Sequence, residues 1–216
     1  MDERSSNDYR KYYKILEIKG VGAFGIVYKG IEIKTNELRA IKVIQLNKLR
    51  ERMILYKEEE EIEKKLKEYI DECMKEYKNM KMCSNINSVK YYEYFINENN
   101  FIILMELCDE NLSELLLRKK KGFNEEEIYE IMMQINNSFK KMMENKIIHR
   151  DIKLENILIK YNDKNKYIVK LADFGSSKRL NSLSKNYCYS KRGTLLNMAP
   201  EILKEEKYNL NVIYGV

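Results

Sequence analysis

Apolar residues recur along this chain with two different periods. Between 12 and 45 they crowd into short Ile-, Val- and Tyr-rich runs, punctuated by glycines at 20, 22, 25 and 30. Such runs predict consecutive strands joined by tight turns. From 46 to 82 Lys and Glu take over, and Ile62, Leu66, Tyr69, Cys73, Tyr77 and Met80 follow at spacings of three and four. That spacing predicts one long helix with a single apolar face, and the glutamate run 58–61 reads as its solvated side. The apolar runs 89–95 and 101–107 flank the polar stretch 97–100, which is a hairpin signal. Helical spacing returns at 112–117. It returns again at 124–145, where Asn124 stands three residues before Glu127 as a cap and Ile128, Ile131, Met132, Ile135, Phe139 and Met142 follow. The stretch 157–171 predicts two short strands around the polar turn 162–166. The order is a β-rich region with one helix, a connection near 108, and an α-rich region, without repeats or Pro/Gly/Ser-rich linkers.

Composition narrows what such a chain can do. Of 216 residues, 44% are hydrophobic and 34% are charged, which excludes a disordered chain and a mainly membrane-embedded one. The length suits one ordinary domain or two small lobes. No apolar run approaches the roughly 18 residues of a membrane span, and the polar start at 1–6 predicts no secretory signal. Forty Lys and Arg against 34 Asp and Glu leave a charge of +6 with both signs interspersed, so nucleic-acid binding by the basic 46–82 region is a remote reading. His149 is the sole histidine, which excludes a His-built structural zinc site. Cys73, Cys83, Cys108 and Cys188 form no C-x-x-C pair and read as reduced thiols used for packing.

Five short segments carry candidate chemistry. Gly20-Val21-Gly22-Ala23-Phe24-Gly25 lets backbone N–H groups approach a polyphosphate unobstructed. A dinucleotide fold would need a helix straight after it, but Ile26 to Ile31 continue as strand, so the loop reads as a lid over phosphates. Lys42 follows inside the apolar strand Ala40-Ile41-Lys42-Val43, where a buried ammonium needs an anion. His149-Arg150-Asp151-Ile152-Lys153-Leu154-Glu155-Asn156 gathers a carboxylate, a lysine and an amide. These can accept a hydroxyl proton, neutralise a phosphate and hold a magnesium ion, respectively. Asp173-Phe174-Gly175 and Ala199-Pro200-Glu201, with Gly193 and Thr194 upstream, complete the set.

Together these segments resemble the eukaryotic protein kinase family of serine/threonine type, in the family's order, over residues 10–209. The resemblance implies an α+β, two-lobed kinase-like domain at 10–216. Its β-rich N-lobe with one long helix would cover 10–107, its hinge 106–110, and its partial α-rich C-lobe 111–216. Gly20, Val21, Gly22 and Gly25 would cover the phosphates of ATP, and Lys42 would bind the α- and β-phosphates. Asp151 would be the catalytic base with Lys153 beside it, the latter matching the serine/threonine pattern. Asn156 and Asp173 would be the magnesium ligands. Met105 would be the gatekeeper, the backbones of Glu106 and Cys108 would bind adenine, and Val27, Ala40 and Leu158 would sandwich its ring. Glu76, with Glu72 second, would pair with Lys42, making 47–65 an insertion. Arg150 implies control by phosphorylation of the segment 173–201, with Ser182, Ser184, Tyr187, Tyr189 and Ser190 as candidates.

The resemblance breaks near the C-terminus. Family members continue with an Asp-x-Trp helix, whereas 210–216 contains neither Asp nor Trp and about a quarter of a usual kinase domain is wanting. The expected C-lobe is therefore incomplete, with Glu201 lacking a partner and apolar residues of the 124–145 helix exposed. The implied activity is magnesium-assisted transfer of phosphate from ATP to Ser or Thr of protein substrates. The alternative is a catalytically impaired ATP-binding scaffold or regulatory remnant of a kinase. The implied partners are a protein substrate and a regulatory protein, not nucleic acid or membrane. The implied setting is intracellular, cytoplasm first and nucleus second.

Overall fold

The computed structural model describes residues 8–22, 25–54, 58–97, 99–164, 166–180 and 200–204. The chain divides into two compact units, Met1–Lys75 with Tyr91–Leu107, and Glu76–Lys90 with Cys108–Val216.

The first unit is built on an antiparallel sheet. Its strands are β1 (Tyr13–Gly22), β2 (Gly25–Glu32), β3 (Leu38–Gln45), β4 (Tyr91–Ile96) and β5 (Asn100–Glu106), in the order β1-β2-β3-β5-β4. Side chains alternate between faces, so β3 and β5 each serve two surfaces. On one face Ile41, Val43, Ile102 and Leu104 join Tyr9, Tyr13 and Phe95 in a buried core, with Tyr12, Tyr28 and Tyr92 packed against it. Phe95 stacks on Tyr12 at 6.0 Å and meets the edge of Tyr13 at 6.3 Å. The preceding 3-10 turn Tyr9–Lys11, capped by Asp8, brings Tyr9 into this core, a role that spacing alone did not predict. On the other face Ile44, Phe101 and Ile103 are buried. Four consecutive buried residues, 101–104, make β5 the best-packed strand, each side chain contributing about 1.5–3 kcal/mol.

The expected long helix is two helices, α1 (Leu46–Ile54) and α2 (Glu59–Met82). The glutamate run explains the break. Glu59, Glu60 and Glu61 are exposed, as expected of a solvated helix face, and they form the first turn of α2, where carboxylates complement the positive helix end. Arg50 of α1 pairs with Glu59 at 2.5 Å and with Glu63. Ile62, Leu66 and Cys73 are the buried stripe of α2 within this unit, as the spacing predicts. Its residues beyond Lys75 belong to the second unit.

The second unit contains α3 (Leu112–Lys119) and α4 (Glu125–Glu144). Its strands are β6 (Glu110–Asn111), β7 (Ile147–Ile148), β8 (Ile157–Tyr161), β9 (Tyr167–Leu171) and β10 (Lys178–Arg179), and α5 (Pro200–Leu203) follows. Both longer helices start with a complete capping box, Asn111 with Glu114 and Asn124 with Glu127. Each box satisfies two otherwise orphaned N–H groups. Strands β8 and β9 form the predicted hairpin, with β6 alongside. Ile131, Ile135 and Met142 bury the inner stripe of α4. Ile128 and Met132 are half exposed, as expected for that helix.

Between α2 and β4 the loop 83–90 is tied down by Asn87, which is 3% exposed. Its side-chain amide donates to Gln134 Oε1 at 3.1 Å and to the Val169 carbonyl at 3.0 Å, and its Oδ1 accepts from Asn137 at 2.9 Å. Its backbone carbonyl accepts from Leu171 N at 2.8 Å and from Ser138 Oγ at 2.5 Å. Every polar group of a buried asparagine is thus used, which turns a costly residue into a rigid joint. Cys73, Cys83 and Cys108 are buried thiols outside any disulfide, and burial pushes the Cys83 thiol up to about 12, so it packs as an inert residue.

Candidate active site

Within the first unit, the glycine run closes the β1–β2 hairpin, with Gly22 opposite Gly25. Gly25 has φ +135°, and a Cβ placed there would stand 2.2 Å from the Val43 carbonyl oxygen. No side chain fits, so this glycine is required by both backbone and space. Gly20 has open space around it, and Val21 is exposed. Register then sorts the remaining candidates. Val27 lies opposite Lys42, Lys42 opposite Ile103, and Ala40 opposite Met105. Directly opposed residues share a face, so Val27, Ala40, Lys42 and Met105 line one side of the sheet, the side away from the aromatic core. Glu106 ends β5.

Within the second unit, the stretch 149–156 is held residue by residue. His149 is wholly buried. Its Nε2–H donates to the Ala172 carbonyl at 2.9 Å, and its Nδ1 accepts from the Asp151 N–H at 3.3 Å. One nitrogen donating and the other accepting defines a neutral ring. Burial pushes its pKa below the ordinary value, which keeps the ring neutral and suits it to bracing, not to proton transfer. The Phe174 ring meets it edge-on at 4.8 Å. Arg150 adopts φ +70° and its Nε donates to the Ser176 carbonyl at 2.5 Å.

Asp151, Lys153 and Asn156 converge. Lys153 Nζ lies 3.0 Å from Asp151 Oδ2. The Asn156 amide donates to the same Oδ2 at 3.1 Å and to the Asp151 carbonyl at 2.8 Å. The carboxylate is therefore fixed through one oxygen by a cation and an amide. Spending the Asn156 NH₂ group in this way leaves its amide oxygen as the atom able to meet a cation. Asn156 also accepts through its backbone from Ala172 N at 2.9 Å, which binds the residue before Asp173 to this loop. Asp173 sits in the left-handed region, φ +58°, with Oδ1 accepting from Gly175 N at 3.4 Å. A Cβ on Gly175 would stand 3.2 Å from Asp173 Oδ1 and 3.3 Å from Glu76 Oε2. Asn156 and Asp173 supply hard oxygen donors. Two such donors suit an ion that takes the rest of its shell from phosphate and water, as magnesium does. Among the described residues, no group of three or more His, Cys, Asp or Glu could hold a metal.

Cys108 is buried, and Leu158 is half-buried on β8 opposite Lys170. Glu76 is buried and Glu72 is exposed. Two contributors escaped the sequence reading. Asn87 was one, although Ser138 falling on the buried stripe of α4 at 131, 135 and 142 signals a polar partner there. Asn79 was the other, and its amide donates to Ser177 Oγ at 3.0 Å. Gly193, Thr194, Ala199, the five candidate phosphorylation residues and 208–216 lie outside the described residues, as does the side chain of Glu201. No described helix is long and apolar enough to cross a membrane.

The family description "Protein kinase domain" matches residues 13–213. The chain is 36% identical over 203 residues to serine/threonine-protein kinase pakG of Dictyostelium discoideum, covering 94% of this chain and 15% of that protein. It is 33% identical over 201 residues to serine/threonine-protein kinase KIC1 of Saccharomyces cerevisiae, covering 93% and 17%. It is 31% identical over 198 residues to serine/threonine-protein kinase ppk11 of Schizosaccharomyces pombe, covering 91% and 56%. The chain thus spans only part of the length of each of these relatives. The match runs through both units and takes in every residue of the loop that fixes Asp151, so the chain belongs to the protein kinase family, alongside kinases of the serine/threonine type.

Proposed function

We propose that the chain transfers the γ-phosphoryl group of ATP to serine or threonine hydroxyls of protein substrates. The observation that carries this reading is the fixed carboxylate of Asp151, held through Oδ2 by Lys153 and Asn156. Asp151 accepts the proton of the substrate hydroxyl as that oxygen bonds to the γ-phosphorus and the bond to the ADP oxygen breaks. Lys153 offsets negative charge on the moving phosphoryl group, and Lys42 positions the α- and β-phosphates. Gly20, Val21, Gly22 and Gly25 present backbone N–H groups to the phosphates. Val27, Ala40 and Leu158 hold the adenine ring, Met105 limits its depth, and Glu106 and Cys108 bind its edge through their backbones. Asn156 and Asp173 hold magnesium, which when bound supplies positive charge against the phosphate oxygens.

Glu76 is the counter-charge of Lys42. Its burial, against the exposure of Glu72, supports that choice, because a buried carboxylate demands a cation. Charge reversal at each position separately tests it, and loss of transfer with the Glu72 change alone would reassign the role. The function itself is tested by radiolabelled phosphate transfer from Mg-ATP to a generic protein substrate, with Asp151→Ala as control. The expected loss is about 10²- to 10⁴-fold. Nucleotide binding without Asp151-dependent transfer would instead support the ATP-binding scaffold. The half-exposed apolar residues Ile128, Tyr129, Met132 and Met133 on α4 are the observation that favours that second reading.

A further inference from the structure

The five residues from Asp173 to Ser177 are held at successive points by different parts of the second unit. Phe174 is buried against His149, Gly175 lies beside the Glu76 carboxylate, and Ser176 receives the Arg150 side chain. Ser177 is the last of these. Its N–H donates to the Phe174 carbonyl at 2.8 Å and closes the 3-10 turn Phe174–Ser176. Its hydroxyl accepts from Asn79 at 3.0 Å. Asn79 is 7% exposed and stands three residues after Glu76, so the two project from neighbouring turns on the same side of α2. A buried amide in that position is costly unless it is bonded, and Ser177 is the bond it makes.

We propose that Asn79 and Ser177 form a positioning pair for the phosphoryl-transfer reaction. The amide-to-hydroxyl bond clasps the far end of the 173–177 turn to α2. With Ser177 fixed, the turn has one conformation, in which Asp173 keeps its left-handed backbone and Gly175 keeps its place beside Glu76. Without it, the turn loses a side-chain tie to α2, and the Asp173 carboxylate is presented in several orientations. Both act through Asp173 as positioning residues, without touching substrate. The inference rests on the kinase reading of Asp151 and Asp173.

The test is phosphate transfer by the 216-residue chain, comparing Asn79→Leu, Ser177→Ala, the double variant and Ser177→Thr, with Asp151→Ala as control. Each single change should lower kcat about three- to tenfold, what one hydrogen bond is worth. KM for the protein substrate should not move. The double variant should lose no more than the worse single, since both remove the same bond. Ser177→Thr, which keeps the hydroxyl, should restore the rate. Additive losses, unchanged rates, or a Ser177→Thr variant as slow as Ser177→Ala would overturn the proposal. If Asp151→Ala matches the parent chain, the kinase reading itself fails. The clasp is then judged by hydrogen exchange of the amides 174–178, which should quicken equally in both singles and no further in the double. Unchanged exchange would overturn it.

Discussion

The sheet of the first unit and the stretch from His149 to Ser177 in the second are stabilised in opposite ways. In the sheet, backbone pairing is continuous apart from register shifts in β1 and β4, and the buried core cluster is made of apolar and aromatic side chains, from Val43 to Tyr13. Apart from Gly25, its strands require no unusual backbone. The stretch around Asp151 has two non-glycine residues at positive φ, Arg150 and Asp173, each a strain of about 1–3 kcal/mol. Specific hydrogen bonds from His149, Arg150 and Asn156 hold it in place. Pattern makes the sheet, and individual partners make the loop. It follows that a conservative change should cost stability in the one and chemistry in the other.

The sharpest way to break this contrast is to change one residue in each. Lys153→Ala should lower kcat about 10²- to 10³-fold while leaving the unfolding midpoint nearly in place. Ile102→Val, in the aromatic core, should do the reverse, costing about 0.5–1.5 kcal/mol of stability at unchanged kcat. Urea titration and phosphate-transfer kinetics on both proteins decide it. A Lys153→Ala chain that unfolds early would show that the loop is structural first.

Asn87 should blur the line on the side of stability. Asn87→Ala abandons Gln134, Asn137 and the Val169 carbonyl, all of which lose a bonding partner. Val169 is buried and Gln134 half-buried, while the exposed Asn137 turns to water, so at about 1–3 kcal/mol for each deserted group that stays dry the total loss should be about 2–4 kcal/mol. Equilibrium unfolding measures it, and a loss below that of Ile102→Val would mean the network is loosely made. The glycines come next. Gly25→Ala forces a Cβ into the Val43 carbonyl and should cost about 1–3 kcal/mol, with weaker nucleotide binding, while Gly20→Ala should leave stability untouched. Equal effects at the two positions would remove the distinction drawn between them.

Much of this was legible in the chain itself because it depends on spacing and local chemistry. The capped helix at 124, the hairpin around 162–166 and the buried stripe of α2 follow directly from residue order. So does the gathering of Asp151, Lys153 and Asn156, which lie within six residues. Other features depend on distant partners and left a weaker mark. The break between α1 and α2 was masked because a run of glutamates suits a helix surface as well as a helix start. Asn79 and Asn87 resemble ordinary polar helix and loop residues until Ser177 and α4 are seen beside them, 98 and about 50 positions away. Tyr9 is buried only because the short turn after Asp8 aims it at Phe95.

The smallest expected effect at neutral pH belongs to the loop's own brace. His149 is the sole histidine, so a titration between pH 7.5 and 5.5 isolates it from other imidazoles. Glu110 and Glu127 are held below the ordinary carboxylate value by their bonds to Arg118 and Lys119, which moves them further from that window. Burial lowers the pKa of His149 in the folded chain, while the unfolded chain takes up a proton near the usual 6.5. Below that pH the unfolded state binds more protons than the native state, so stability falls with acid. The contribution is fully present above the unfolded value and is lost as pH drops through it toward the folded value. The steepest slope one such group can give is about 1.4 kcal/mol per pH unit. Denaturant midpoints at pH 7.5, 6.5 and 5.5 should therefore decline in the parent chain and decline less in His149→Gln. Parallel declines would mean that His149 charges freely in the folded protein, and that its Nδ1 can give up the bond from the Asp151 N–H at no cost to the fold while the Nε2–H stays bonded to Ala172.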